Sequence, residues 1–233
     1  LVWSDLNLFF QIGASYSFSD PRILYDQLSG RWFASGMAFD DANDGETFVA
    51  ISDTSDPTGN WDVYLISSNT GSTLYDQPRL GISDDKVVMS WDDYFLGFFP
   101  TGSETWVLQK TDLLNLAPTL AFAAFGPDLF RPAIAPSESL TSTPIEYLVY
   151  NNSDPFLEQN TSQPTLGIVS ISGTPAQNSV AWSESDPPIV GTSFPPNGQQ
   201  PAGGWPIATN DDRVQSVVWQ NGFFWADTND GCV

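Results

Sequence analysis

Four of the chain's five arginines, Arg22, Arg79, Arg131 and Arg213, stand at the openings of apolar, strand-like runs, with Asp20, Asp76 and Asp212 close by. A guanidinium presents a planar fork of donors that fits a carboxylate with two parallel hydrogen bonds. This placement supports two chemistries. Each arginine pairs with a neighbouring carboxylate and ties one structural unit to the next, or the four converge on a central channel and bind a ligand there. Carboxylates that could act as general acid and base are Asp92-Asp93, Asp84-Asp85 and Glu146. Adjacent residues of a strand point to opposite faces, so neither doublet forms a facing pair by itself. The chain has no histidine, which excludes Ser-His-Asp and Cys-His nucleophiles and histidine-bound zinc. No catalytic set can be assigned.

Two loops are rich in oxygen ligands and carry a glycine for a sharp turn: Asp40, Asp41, Asn43 and Asp44 before Gly45, and Asp227, Asn229 and Asp230 before Gly231. They are candidates for Ca2+, although neither has the twelve-residue spacing of an EF-hand, and a solvated acidic turn is the competing reading. Asn151 and Asn160 each begin an N-x-Ser sequon and are candidate glycosylation sites. The single cysteine, Cys232, has no partner for a disulfide within the 233 residues. With 28 acidic against 7 basic residues, the net charge is −21. Such a chain repels nucleic acid, whose binders need Lys and Arg to displace phosphate counterions. It also suits extracellular or salty media. No apolar run approaches the length of a membrane span.

The elements that must position these residues come from a repeat. A Pro-centred opening recurs at Asp20-Pro21-Arg22-Ile23-Leu24-Tyr25, Gln77-Pro78-Arg79-Leu80-Gly81-Ile82 and Arg131-Pro132-Ala133-Ile134-Ala135, with 57 and 54 residues between successive prolines. Each opening is followed by a Thr-led apolar strand at Thr47, Thr105 or Thr165. A period of about 40 to 55 residues holding four short strands is what a blade of a β-propeller requires. The expected fold is therefore all-β: a propeller of four-stranded antiparallel blades in a single domain, 1-233. Full blades are expected at 16-72, 73-127 and 128-183, with a partial blade at 205-233. Leu6 to Ile12 is read as a strand of a second partial blade. Residues 184-204 are too rich in proline to join a ladder and are expected to form a surface loop. Asn221-Gly222 predicts a type I′ hairpin turn. Three full and two partial blades do not close a ring, so polypeptide beyond Val233, or another subunit, is expected to complete it.

The stretch Asp56-Pro57-Thr58-Gly59-Asn60-Trp61 resembles a relaxed Asp-box, a structural turn of sialidase-type propellers. Asp20-Pro21-Arg22-Ile23-Leu24-Tyr25-Asp26 with Gly30-Arg31-Trp32-Phe33 resembles a group of secreted bacterial propeller proteins fused to adhesive or surface-anchoring modules. The resemblance implies an extracellular or cell-surface module for binding, adhesion or assembly, with a protein or glycan partner or copies of itself in an oligomer or filament. The alternative it implies is a sialidase-like glycoside hydrolase, with Arg22, Arg79, Arg131 and Arg213 lining its channel.

Overall fold

In the computed structural model, which describes residues 5–128, 134–151, 164–209 and 211–231, strands hold 54% of the described residues and helices 7%, an all-β fold. Three antiparallel four-stranded meanders follow one another. The first is β1 (Ser17–Asp26), β2 (Arg31–Phe39), β3 (Gly45–Ser52) and β4 (Trp61–Ser68). The second is β5 (Thr73–Ile82), β6 (Lys86–Phe95), β7 (Phe99–Gln109) and β8 (Phe122–Asp128), with helix α2 (Lys110–Leu114) between its last two strands. The third is β9 (Ala135–Ser139), β10 (Glu146–Asn151), β11 (Leu166–Ser172) and β12 (Ala181–Ser185). A hairpin of β13 (Val214–Gln220) and β14 (Phe223–Thr228) comes last. Its turn has Asn221 at φ 52° and Gly222 at φ 86°, the two positive angles a type I′ turn needs.

The first meander is a separate sheet, while β5 to β14 join into one sheet of ten strands; the sheets are curled and one is a half-barrel. Parallel pairing makes the junctions. β9 pairs with β5 through Ile82↔Glu138 and with β13 through Val217↔Ser137, Val218↔Glu138 and Trp219↔Ser139. Gly81 permits the first contact, because a Cβ there would collide with Pro136 and the Ser137 carbonyl.

Alternation along the strands sorts side chains between layers. Val87, Met89 and Trp91 of β6 pack with Phe33, Val49 and Ile51 of the first meander, whereas Val88 packs with Leu148, Tyr150 and Val169 of the third. Val149, on the other face of β10, meets Val214 and Val217 of the final hairpin. Central strands are therefore buried on both faces, and hydrophobic area removed from water between successive layers holds the fold together.

The expected strand from Leu6 to Ile12 is instead a single helical turn, α1 (Leu6–Phe9). The Asp5 carboxylate accepts from the Asn7 amide at 2.8 Å and caps it. Phe10, 2% exposed, stacks on Phe18 at 4.4 Å and covers Ala34, Phe48 and Ala50 on the outer face of the first meander.

The Pro-led repeat folds the same way twice. Asp20 (φ 52°) and Gln77 (φ 51°) both adopt left-handed backbone immediately before proline, and each sits in a bulge where pairing skips, between Ser19 and Arg22 and between Asp76 and Arg79. Left-handed backbone disfavours a side chain with a Cβ by roughly 1–2 kcal/mol, most of all a β-branched one. Gln77 already bears that cost, so Gln77→Gly is expected to raise stability by up to about that amount and Gln77→Val to lower it, as read from urea midpoints.

Candidate functional site

The two bulges face each other. A pocket of about 660 Å³ opens between them, lined by Ser19, Asp20, Pro21 and Arg22 from one copy of the repeat and by Leu74, Asp76 and Gln77 from the other. Met37 and Phe39 of β2 add apolar wall, and Gln215 of β13 closes it. Repetition thus supplies matching polar groups to two sides of one cavity. Asp76 has a raised pKa, first from burial and then from the charge of Asp20. Arg22, exposed, is the pocket's cation.

Behind this pocket lies a buried cluster. Arg213 Nη1 meets Asp92 Oδ2 at 2.5 Å and its Nε meets Asp211 Oδ2 at 2.6 Å. Burial works to lower the Arg213 pKa, but Asp92 and Asp211 outweigh it and the value is raised. Arg79, 3% exposed, donates through Nη1 to the Val214 carbonyl, and its Nε and Nη2 have no hydrogen-bond partner. Burial brings its pKa down to about 10, with Asp92 opposing and Arg213 and Arg22 reinforcing the shift. Arg22, Arg79 and Arg213 therefore share one region, yet only Arg22 lines the pocket. Arg131 lies outside the described residues.

The candidate acids and bases do not form a facing pair. Asp92 turns to Arg213, while Asp93 on the opposite face is pushed up to about 8 by burial, then by Glu104 and Asp92. Asp84 accepts from the Thr143 amide at 2.9 Å and from Ser142 Oγ at 2.7 Å. Asp85 holds Lys86 at 2.5 Å. Glu146 is fully buried and accepts from Ser137 N at 3.0 Å; burial raises its pKa to about 8.

The two acidic loops direct their oxygens at their own surroundings. Asp40 Oδ1 accepts from the amides of Ala42 and Asp44, and Asp44 Oδ1 accepts from the Ser72 amide; Asn43 takes φ 61° and Asp41 is exposed. Asp227 accepts from Ser216 N and Oγ, Asp230 from Ser193 N and Oγ, and Asn229 donates to Thr209 O. Among the described residues, no group of three or more Asp, Glu, His or Cys is placed to hold a metal ion. Asn151, the first residue of one sequon, is 2% exposed, and its Nδ2 donates to Thr192 Oγ1 at 2.7 Å and to Asp212 O at 2.9 Å. Asn160 and Cys232 lie outside the described residues. In the turn with the Asp-box pattern, Asp56 accepts from Thr58 N and Oγ1 and Trp61 Nε1 donates to Pro57 O, so its groups close the turn itself.

The lysines were not singled out from sequence. Lys110 Nζ meets Asp26 Oδ2 at 2.7 Å and donates to Ser83 O at 2.7 Å, and Lys86 Nζ donates to Pro144 O at 2.6 Å. Both are buried.

Two expectations follow for stability. Arg213→Ala removes a buried guanidinium from between Asp92 and Asp211 and is expected to cost about 3 kcal/mol, whereas Arg22→Ala is expected to stay within about 0.5 kcal/mol; chemical denaturation measures both. An acid with a higher pKa folded than unfolded holds its proton more tightly in the fold. Glu146 therefore contributes stability that is full below its unfolded value near 4.5 and is lost as pH rises towards 8. In Glu146→Gln the difference in urea midpoint between about pH 5.5 and about pH 8.5 should shrink; an unchanged difference would show that Glu146 does not titrate there.

No family model matches the chain, and no curated protein matches it in sequence.

Proposed function

We propose that this chain is a non-catalytic module of β-propeller architecture, extracellular or at the cell surface, whose pocket binds a neutral glycan unit. The observation that carries the reading is the pocket itself. Asp20, Asp76, Arg22, Gln77 and Gln215 surround it with acceptors and donors beside the apolar surfaces of Met37, Phe39 and Leu74. Mixed hydrogen-bonding groups over apolar wall suit a sugar, which presents hydroxyls on its rim and C–H groups on its faces. Propeller architecture is supported by three successive four-stranded antiparallel meanders. Binding is favoured over catalysis because the buried arginines are engaged with Asp92, Asp211 and the Val214 carbonyl rather than with the cavity.

The opposing reading is a glycoside hydrolase using Asp20 and Asp76, and it rests on the raised pKa of Asp76 beside Asp20. Calorimetric titration with neutral oligosaccharides, with reducing ends assayed on the same samples, separates the two. Saturable binding without product, weakened about tenfold by Gln77→Ala, is expected. Release of reducing ends would establish the hydrolase. Failure of every neutral oligosaccharide to bind would remove the pocket from the account.

A further inference from the structure

Two apolar walls of the pocket run directly into surface loops. Phe39 is the last residue of β2 and leads into the loop 40–44, and Leu74 is the second residue of β5, just after the loop 69–72. Leu74 also pairs with Tyr94, and beyond Tyr94 the chain turns between β6 and β7, where Phe95 pairs with Phe99. These three segments are locked together. Leu96 N donates to Ser72 O at 2.7 Å, Ser72 N to Asp44 Oδ1 at 2.9 Å, and Asn69 N to Gly45 O at 2.8 Å. Gly97, at φ 75°, lies so near the first loop that a Cβ there would stand 2.9 Å from Asn43 Oδ1. The rim on this side of the pocket is therefore in place before any ligand arrives.

At its crest the rim turns apolar side chains to solvent. Phe95 is 43%, Leu96 39%, Phe98 71% and Phe99 59% exposed, and the Phe98 and Phe99 rings meet edge to face at 5.7 Å. Size and charge narrow what covers them. A stable protein interface buries about 800 Å² on each partner, far more than one tight turn presents. A phospholipid surface would bring phosphates against Asp40, Asp41 and Asp44 of the loop locked to this turn. A sugar needs neither a wide contact nor an opposite charge, because an aromatic ring stacks on the C–H face of a single unit.

We propose that the ligand is an oligosaccharide rather than a single sugar: one unit occupies the pocket, and the chain leaves it past Phe39 and Leu74, crosses the three-loop rim and rests its next units on Phe98 and Phe99. This inference rests on the glycan reading of the pocket and adds to it a direction and a second set of contacts. The ligand is uncharged along its length, because Asp40, Asp41 and Asp44 repel carboxylate or sulfate groups on the units that cross the rim. Added units gain affinity because the locked turn already holds both phenyl rings in position.

The test uses an array of neutral glycans printed in series of increasing length, followed by calorimetric titration of the one-unit and four-unit members of each series that binds. In the wild-type protein affinity is expected to rise at least about tenfold from one unit to four. Phe98→Ser, at an exposed site where the unfolding midpoint is expected to hold, should reduce that rise to less than about twofold, whereas Gln77→Ala should weaken every length. An equal rise in Phe98→Ser and the wild type, or no rise in either, overturns the rim contacts and leaves the pocket reading standing. Absence of binding to every glycan on the array removes the pocket reading and this inference with it. Capture of the wild type, but not of Phe98→Ser, by phosphatidylcholine vesicles would assign the turn to a membrane and overturn the proposal.

Discussion

The fold depends on a few cations buried against carboxylates and carbonyls at the junctions between meanders. Lys110 joins Asp26, at the end of β1, to the second meander. Lys86 reaches from the second meander to the Pro144 carbonyl before β10. Arg79 and Arg213 fasten the second meander to the start of the last hairpin. A buried charge stripped of its partner is strongly destabilising, so each contact restricts how neighbouring layers can sit. Hydrophobic packing provides the bulk of the driving force but is indifferent to small slides of one sheet over another. These point contacts select one arrangement.

The same constraint shapes the surface. Of seven basic residues, four are buried and Arg31 is partly buried, donating to the Ser52 and Leu114 carbonyls. Arg22 is the one exposed basic side chain among the described residues, and it lies in the pocket. The exterior is therefore almost uniformly anionic. Mutual repulsion of exposed carboxylates falls off as salt shortens the Debye length to about 10 Å at 0.1 M.

Local patterns were readable in the residues, and long-range ones were not. Alternation and the Asn221-Gly222 turn announce the β13–β14 hairpin, and the spacing of the Pro-led openings announces successive meanders of strands. The left-handed Asp20 and Gln77 bulges carry no signal beyond the proline that follows, because pre-proline residues ordinarily favour extended backbone. Leu6 to Ile12 has a strand's composition, but Asp5 caps a helical turn and Phe10 finds a cavity that only the assembled sheet creates. Union of β5 to β14 into one sheet turns on the close approach at Gly81, and a lone glycine in a strand has several other uses. Arg213 passes over its neighbour Asp212 for Asp92, 121 positions away in sequence. Asn151 satisfies a sequon locally while tertiary packing encloses it. Lysine is the residue least expected inside, so nothing in the sequence marks Lys86 and Lys110 as interior.

That last point gives the most direct test of the account. The intact protein is treated with an amine-acylating reagent under native conditions and again in denaturant, and labelling at each lysine is followed by peptide mass spectrometry. Buried cations at the junctions predict that Lys86 and Lys110 stay unlabelled while the protein is folded and both react once it is unfolded. Acylation of either lysine in the native protein as fast as in the denatured one would contradict the account.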